Sequence, residues 1–262
     1  MAMPGGRNRI ARIAPVSARG SARAESEARL LDVLQKDFAV MNLTAAPTFI
    51  LFVEGATDRG YILRAAGLFE QAFGVNPLDI PPGVAGSSPS RISVLVPGEP
   101  GKQASGGVAR MGAAAASLFQ DFFKSEVPNG LLFLFDHDYA GRKERDAIKR
   151  YGFLPGTHSL TLDPLSHPSM AGRADVVIED LLPLSVQSAF FDQGGASCSK
   201  EYRMGELTRI KWEHPSKAAL RKFVCEHEGI NAFDEMIVLI SRVRSAFGFP
   251  QLPRSSISAG DV

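Results

Sequence analysis

Four carboxylates stand in two short clusters, each directly after an apolar run. Thr48-Phe49-Ile50-Leu51-Phe52-Val53 leads into Glu54-Gly55-Ala56-Thr57-Asp58, and Leu131-Leu132-Phe133-Leu134-Phe135 leads into Asp136-His137-Asp138-Tyr139-Ala140-Gly141. Clustered carboxylates with no Lys or Arg inside either motif suit a hard divalent cation such as Mg²⁺, which takes oxygen ligands and keeps several waters. Two such ions about 3.5–4 Å apart can clamp the attacking and leaving oxygens of an in-line phosphoryl displacement. Asp136 and Asp138 share one side of the chain only if it stays extended there, and His137 then points away and has no ligand role. Asp58 falls in the first turn of a following helix and can face back toward Glu54. Glu54, at a strand tip, is placed either to hold a metal or to move a proton.

The elements that must position these residues follow from the same runs. Each is short and β-rich without polar alternation, as in a strand buried on both faces of a parallel sheet. Carboxylates at the carboxyl ends of such strands meet in the crevice where open α/β sheets bind their ligands. Thr57 is a candidate cap for a helix through Tyr61, Leu63, Ala66, Leu68, Phe69 and Phe73. Residues 76–90 read as a loop, and residues 91–96 as the next strand. The Gly98-Glu99-Pro100-Gly101-Lys102 turn is no P-loop, because its glycines are too close and Gln103 stands where Ser or Thr would bind Mg²⁺. A helix of small residues carries Val108, Met111, Ala115, Leu118, Phe119 and Phe122. A charged helix spans residues 142–150, a strand residues 158–162, and residues 175–183 end the sheet region as a further short strand. This alternation predicts an α/β fold: a mostly parallel sheet with helices on both faces, plus a small, mainly helical C-terminal part.

The two motifs together resemble those of the Toprim domain, the metal-binding fold of topoisomerases, bacterial primases and several nucleases. Glu54, Gly55 and Asp58 match its Glu-Gly-x-x-x-Asp element, and Asp136, Asp138 and Gly141 its Asp-x-Asp-x-x-Gly element. The resemblance covers residues 48–185, and the turn at Lys102 is similar to one found in many Toprim nucleases. Ile178-Glu179-Asp180-Leu181-Leu182 resembles the OLD family of Toprim nucleases and the shorter Toprim proteins that accompany ATPases in phage defence. That resemblance implies Glu179 as a further metal ligand beside Glu54, Asp58, Asp136 and Asp138. Asp180 has the competing reading of an acidic residue at a helix N-terminus. It also implies a catalytic lysine near a helix start, for which Lys217 in Pro215-Ser216-Lys217 is the best counterpart, with Ser216 as a possible cap. Lys200, Lys211 and Lys222 are the competing lysines. The implied activity is a Mg²⁺-dependent (or Mn²⁺-dependent) endonuclease on DNA or RNA, an antiviral effector with a separate ATPase chain as partner. The alternative is a non-catalytic Toprim module that binds nucleic acid or an ATPase, against which uncompensated buried carboxylates argue.

Other uses of Asp-x-Asp fit less well. A haloacid-dehalogenase phosphatase expects Thr or Val where Ala140 stands, and a glycosyltransferase leaves Glu54-Gly55 unexplained. A topoisomerase needs a nucleophilic tyrosine on a further domain, and a primase needs a zinc module. Cys198 and Cys225 are too far apart in sequence for a zinc half-site and read as reduced thiols of a cytoplasmic protein. No apolar run has the length of a membrane span. A formal net charge of +1 gives no global pull toward nucleic acid, so attraction has to come from a local patch. The sequence is silent on whether the chain forms a homo-oligomer. Residues 1–24 form a basic arm around Arg7, Arg9, Arg12, Arg19 and Arg23, read as a flexible extension. The expected division continues with a helix and connector over 25–47, the Toprim domain over 48–190, a helical subdomain over 191–250 with a hairpin around Tyr202 to Trp212, and a tail over 251–262.

Overall fold

The computed structural model describes residues 49–81, 91–98, 107–123, 127, 130–194 and 197–252. The expected arm, the helix and connector over 25–47, the Lys102 turn and nearly all of the tail lie outside them. Among the described residues, four parallel strands form the sheet: β1 (Ile50–Phe52), β2 (Ser93–Leu95), β3 (Leu131–Phe135) and β4 (Ser159–Thr161), in the order β2-β1-β3-β4. Three helices connect them: α1 (Ala56–Phe73), α2 (Val108–Ser117) and α3 (Tyr139–Ile148). The fold class is therefore α/β with a wholly parallel sheet among the described residues.

The unbroken apolar runs are explained by the two cores they serve. Alternate residues of a strand face opposite sides. Leu51, Val53, Val94, Leu132 and Leu134 enter one core with Tyr61, Ile62, Ala65 and Ala66 of α1. Ile50, Phe52, Leu95, Leu131, Phe133 and Phe135 enter a second with Met111, Ala114 and Ala115 of α2 and Ile148 of α3. Phe52 stacks on Phe133 across the β1–β3 pair at 4.7 Å between ring centroids, which fixes the register of the two strands that carry the acidic motifs.

Beyond the sheet come α4 (Leu184–Asp192), an antiparallel hairpin of β5 (Cys198–Arg203) and β6 (Glu206–Trp212), α5 (His214–His227) and α6 (Asp234–Ala246). This part is mainly helical, and the expected hairpin is present. The boundary expected at residue 190 falls inside α4, a helix the apolar pattern did not announce. Leu220 and Val224 of α5, with Met236, Leu239, Ile240 and Val243 of α6, belong to the same core as α1. The C-terminal helices thus complete the cover of one sheet face.

Three local expectations are corrected. Residues 175–183 form no strand: Val176 makes a single antiparallel bridge to His137, and Ile178–Leu181 turn as a 3₁₀ helix. Leu182 and Pro183 end that turn and start α4, and the apolar residues are buried without a ladder. The N-cap of α1 is Gly55 rather than Thr57, because Asp58 already supplies the reciprocal bond to the Gly55 N–H. Ser216 is no cap: it lies inside α5 and its hydroxyl accepts from the Ser197 N–H at 2.7 Å.

Candidate metal centre

The sheet order sets where a ligand can sit. From β1 the chain moves to β2 on one side, and from β3 to β4 on the other. The loops leaving β1 and β3 therefore part, and open a crevice at their carboxyl ends. Glu54 and Asp136 face each other across this opening, and the Asp136 N–H donates to Glu54 Oε1 at 3.0 Å. Asp58, three residues into α1, turns back with its Oδ2 accepting from the Gly55 N–H at 2.9 Å.

Asp138 keeps the extended conformation that the spacing requires, with φ −101° and ψ −179°, and is the N-cap of α3. Its Oδ1 accepts from the Gly141 N–H at 2.7 Å. His137 points the other way, with Nδ1 3.2 Å from Thr161 Oγ1 on β4. Gly141 is dictated by packing: a β-carbon there would lie 2.2 Å from the Asp136 carbonyl oxygen, so only glycine lets α3 start this close to the strand end.

Glu179 arrives from the 3₁₀ turn and is 1% exposed. Its Oε2 pairs with Lys217 Nζ of α5 at 2.9 Å, while its Oε1 has no hydrogen-bond partner among the described residues. The three competing lysines lie elsewhere in the hairpin and α5. Lys211 pairs with Glu201, Lys200 covers the Phe191 ring, and Lys222 is exposed. Asp180 is structural: it binds Arg173, Arg209 and the Val177 N–H.

That brace, with no motif to announce it, is the part sequence reasoning missed. Arg209 on β6 and Arg173 hold Asp180, while Gln187 of α4 donates to the carbonyls of Glu179 and Leu182 at 3.1 and 3.0 Å. Trp212 Nε1 fixes Gln187 by donating to its side-chain oxygen at 2.9 Å. The only forward signal was the acidic pair itself, of which one member serves the crevice and the other its support. A cavity of about 430 Å³ beside this brace is lined by Arg173, Asp180, Gln187, Arg209 and Glu235, and by none of the crevice carboxylates.

Lys217 compensates the crevice carboxylates only in part. Burial, then Glu179 and Glu54, push the Asp58 carboxyl up to about 7 against the bond from the Gly55 N–H. Burial, then Asp58, Glu54 and Glu179, hold Asp136 well above the usual carboxylate range. Glu54 is raised by burial, in opposition to the Asp136 N–H, and further by Asp138. Burial alone would lower the Lys217 ammonium; Glu179, with Asp136 and Asp58, reverses this and holds it above the ordinary lysine range.

Among the described residues, no three His, Cys, Asp or Glu side chains are already arranged to hold a metal ion. The donor chemistry nevertheless fits a hard divalent cation. All five groups are carboxylates, a buried Glu179 oxygen has no partner among the described residues, and their mutual repulsion is what such an ion would relieve. No helix among the described residues is long and apolar enough to cross a membrane. No protein-family model, curated protein or solved structure matches this chain.

Proposed function

We propose that this chain is a metal-dependent nuclease of the Toprim type, hydrolysing phosphodiester bonds of DNA or RNA. One observation carries the reading. Carboxylates from the ends of two strands, from a helix start and from a distant 3₁₀ turn gather with one lysine at the switch point of a parallel sheet. Glu54, Asp58, Asp136, Asp138 and Glu179 are the residues that would hold Mg²⁺ or Mn²⁺. Bound ions would supply charge stabilisation to the attacking and leaving oxygens of the phosphoryl group.

The chain's own groups do the rest. Lys217, kept protonated by Glu179, brings a cation to the scissile phosphate or the leaving oxygen. Glu54 either holds a cation or takes the proton of the attacking water, and both roles need its charge. Gly141 and the Asp180 brace keep Asp136 and Glu179 in place. The likeness of residues 178–182 to the OLD family extends the proposal to an effector of phage defence with a separate ATPase chain as partner.

The test is incubation of the purified chain with plasmid DNA and with total RNA, each with Mg²⁺, Mn²⁺ or EDTA. Cleavage of one substrate with divalent cation, absent in EDTA and absent in Glu54→Gln, is the expected result. The Gln amide oxygen can still accept from the Asp136 N–H, so that variant keeps its fold. Cation-independent cutting, or unchanged cutting by Glu54→Gln, would remove the reading. Binding of nucleic acid without cutting would leave the non-catalytic module in its place.

A further inference from the structure

Gly60 lies in the interior of α1, where glycine is the least favourable residue after proline. The neighbouring helix supplies the reason. A β-carbon at Gly60 would stand 2.6 Å from Arg221 Cδ and 3.0 Å from its Nη1, so the Arg221 stem runs through the space that the missing side chain leaves. Arg221 is on α5, one turn after Lys217, and its Nη1 donates to the Ala56 carbonyl oxygen at 3.3 Å. Ala56 opens α1 between Gly55 and Asp58, so the guanidinium lies against the first turn of α1, while Lys217 one turn earlier on α5 reaches the crevice at Glu179. Among the described residues Arg221 makes no ion pair. Arg59, also in the first turns of α1, is different: its Nε binds the Val94 carbonyl of β2.

We propose that Arg221 grips a phosphodiester of the substrate strand next to the one that is cut, with Gly60 as its seat. This rests on the nuclease reading and adds to it the path of the strand, over the start of α1 and along the Lys217–Arg221 side of α5. A guanidinium tethered by one N–H keeps further donors in a planar fork that suits two phosphate oxygens. Being fixed before the substrate arrives, it loses little side-chain freedom on binding.

The test compares Arg221→Ala, Gly60→Ala and Lys222→Ala in cleavage of a labelled DNA duplex and a labelled RNA of the same sequence over a range of salt. Lys222 is the control, an exposed cation one residue along the same helix. Arg221→Ala is expected to raise KM about tenfold, as for loss of a charge-assisted hydrogen bond, with kcat within about twofold. The dependence of log kcat/KM on log salt should flatten by about 0.7–0.9, one phosphate contact. Gly60→Ala keeps every charge yet should raise KM in the same direction, while its melting temperature is equal or higher because the helix gains alanine. Divalent-cation binding, read from the thermal shift, should be unchanged in all three. Wild-type KM and salt slope in Arg221→Ala, or an equal effect of Lys222→Ala, overturn the proposal while cleavage by the wild type upholds the nuclease reading. A wild type that cuts neither probe removes both.

Discussion

Asp58 shows how a single side chain registers the state of the whole crevice. Its carboxyl is pushed up to about 7 by burial and by Glu179 and Glu54, against an ordinary 3.8. A raised carboxyl favours the folded state while it is protonated. In the metal-free protein that contribution is present below about pH 4 and is lost as pH rises toward 7. Asp58→Asn keeps an acceptor for the Gly55 N–H and removes the charge. In EDTA at pH 8 it should stabilise by about 1 kcal/mol or more, about 2–4 °C in Tm for a domain of this size, and at pH 4 it should match the wild type. A melting series across pH checks this; equal Tm at pH 8 would mean that the carboxylates do not repel. Lys217 behaves in the opposite sense. Removing it leaves the nearly fully buried Glu179 carboxylate without the one side-chain partner it has among the described residues. Lys217→Ala should lower Tm in EDTA and recover part of the loss with Mg²⁺, and it should reduce turnover far more than substrate binding. Single-turnover cleavage beside melting curves separates these effects, and a wild-type cleavage rate would end the catalytic assignment.

At the scale of elements, the two motif glycines have different duties. Gly141 stands against backbone: its added β-carbon would meet the Asp136 carbonyl oxygen, which the β3 strand cannot move cheaply. Gly55 has φ −147°, open to any residue, and its added β-carbon would meet nothing closer than 3.9 Å. Gly141→Ala is therefore expected to cost about 1–3 kcal/mol and to disturb the proposed cation site, as over-packing does. Gly55→Ala should cost about 1 kcal/mol or less, the difference between glycine and alanine at an N-cap. Denaturant unfolding of both variants tests the order, and a Gly55→Ala that is the worse of the two would contradict the packing account. The same scale explains the misread stretch at 175–183. Its apolar residues are buried under the helices, and burial without alternation looks alike in a strand and in a 3₁₀ turn. Gln187, Trp212 and Arg209, which hold that turn, belong to elements that follow it in the chain.

For the molecule as a whole, binding of a cation to the folded state alone should raise thermal stability with ion concentration. A Tm that climbs with Mg²⁺ or Mn²⁺ in the wild type, and stays flat in Asp136→Ala and in Asp138→Ala, is the expected pattern. A climb that survives both changes would place the cation elsewhere. What could be read from the sequence is local. The two acidic motifs follow runs long and apolar enough to be interior strands, so Glu54 and Asp136 had to stand at strand ends, and extended spacing put Asp138 beside Asp136 with His137 averted. These conclusions depend only on the two-residue period of a strand and the first turn of a helix. Where Glu179 and Lys217 meet was decided by tertiary structure, since 38 residues separate them and three other lysines offered similar local settings. Packing of α5 against α1 chose Lys217, and the Asp180 brace aimed Glu179. The seat of Arg221 on Gly60 is likewise invisible until the two helices touch, because a close approach between distant segments leaves no period in the chain.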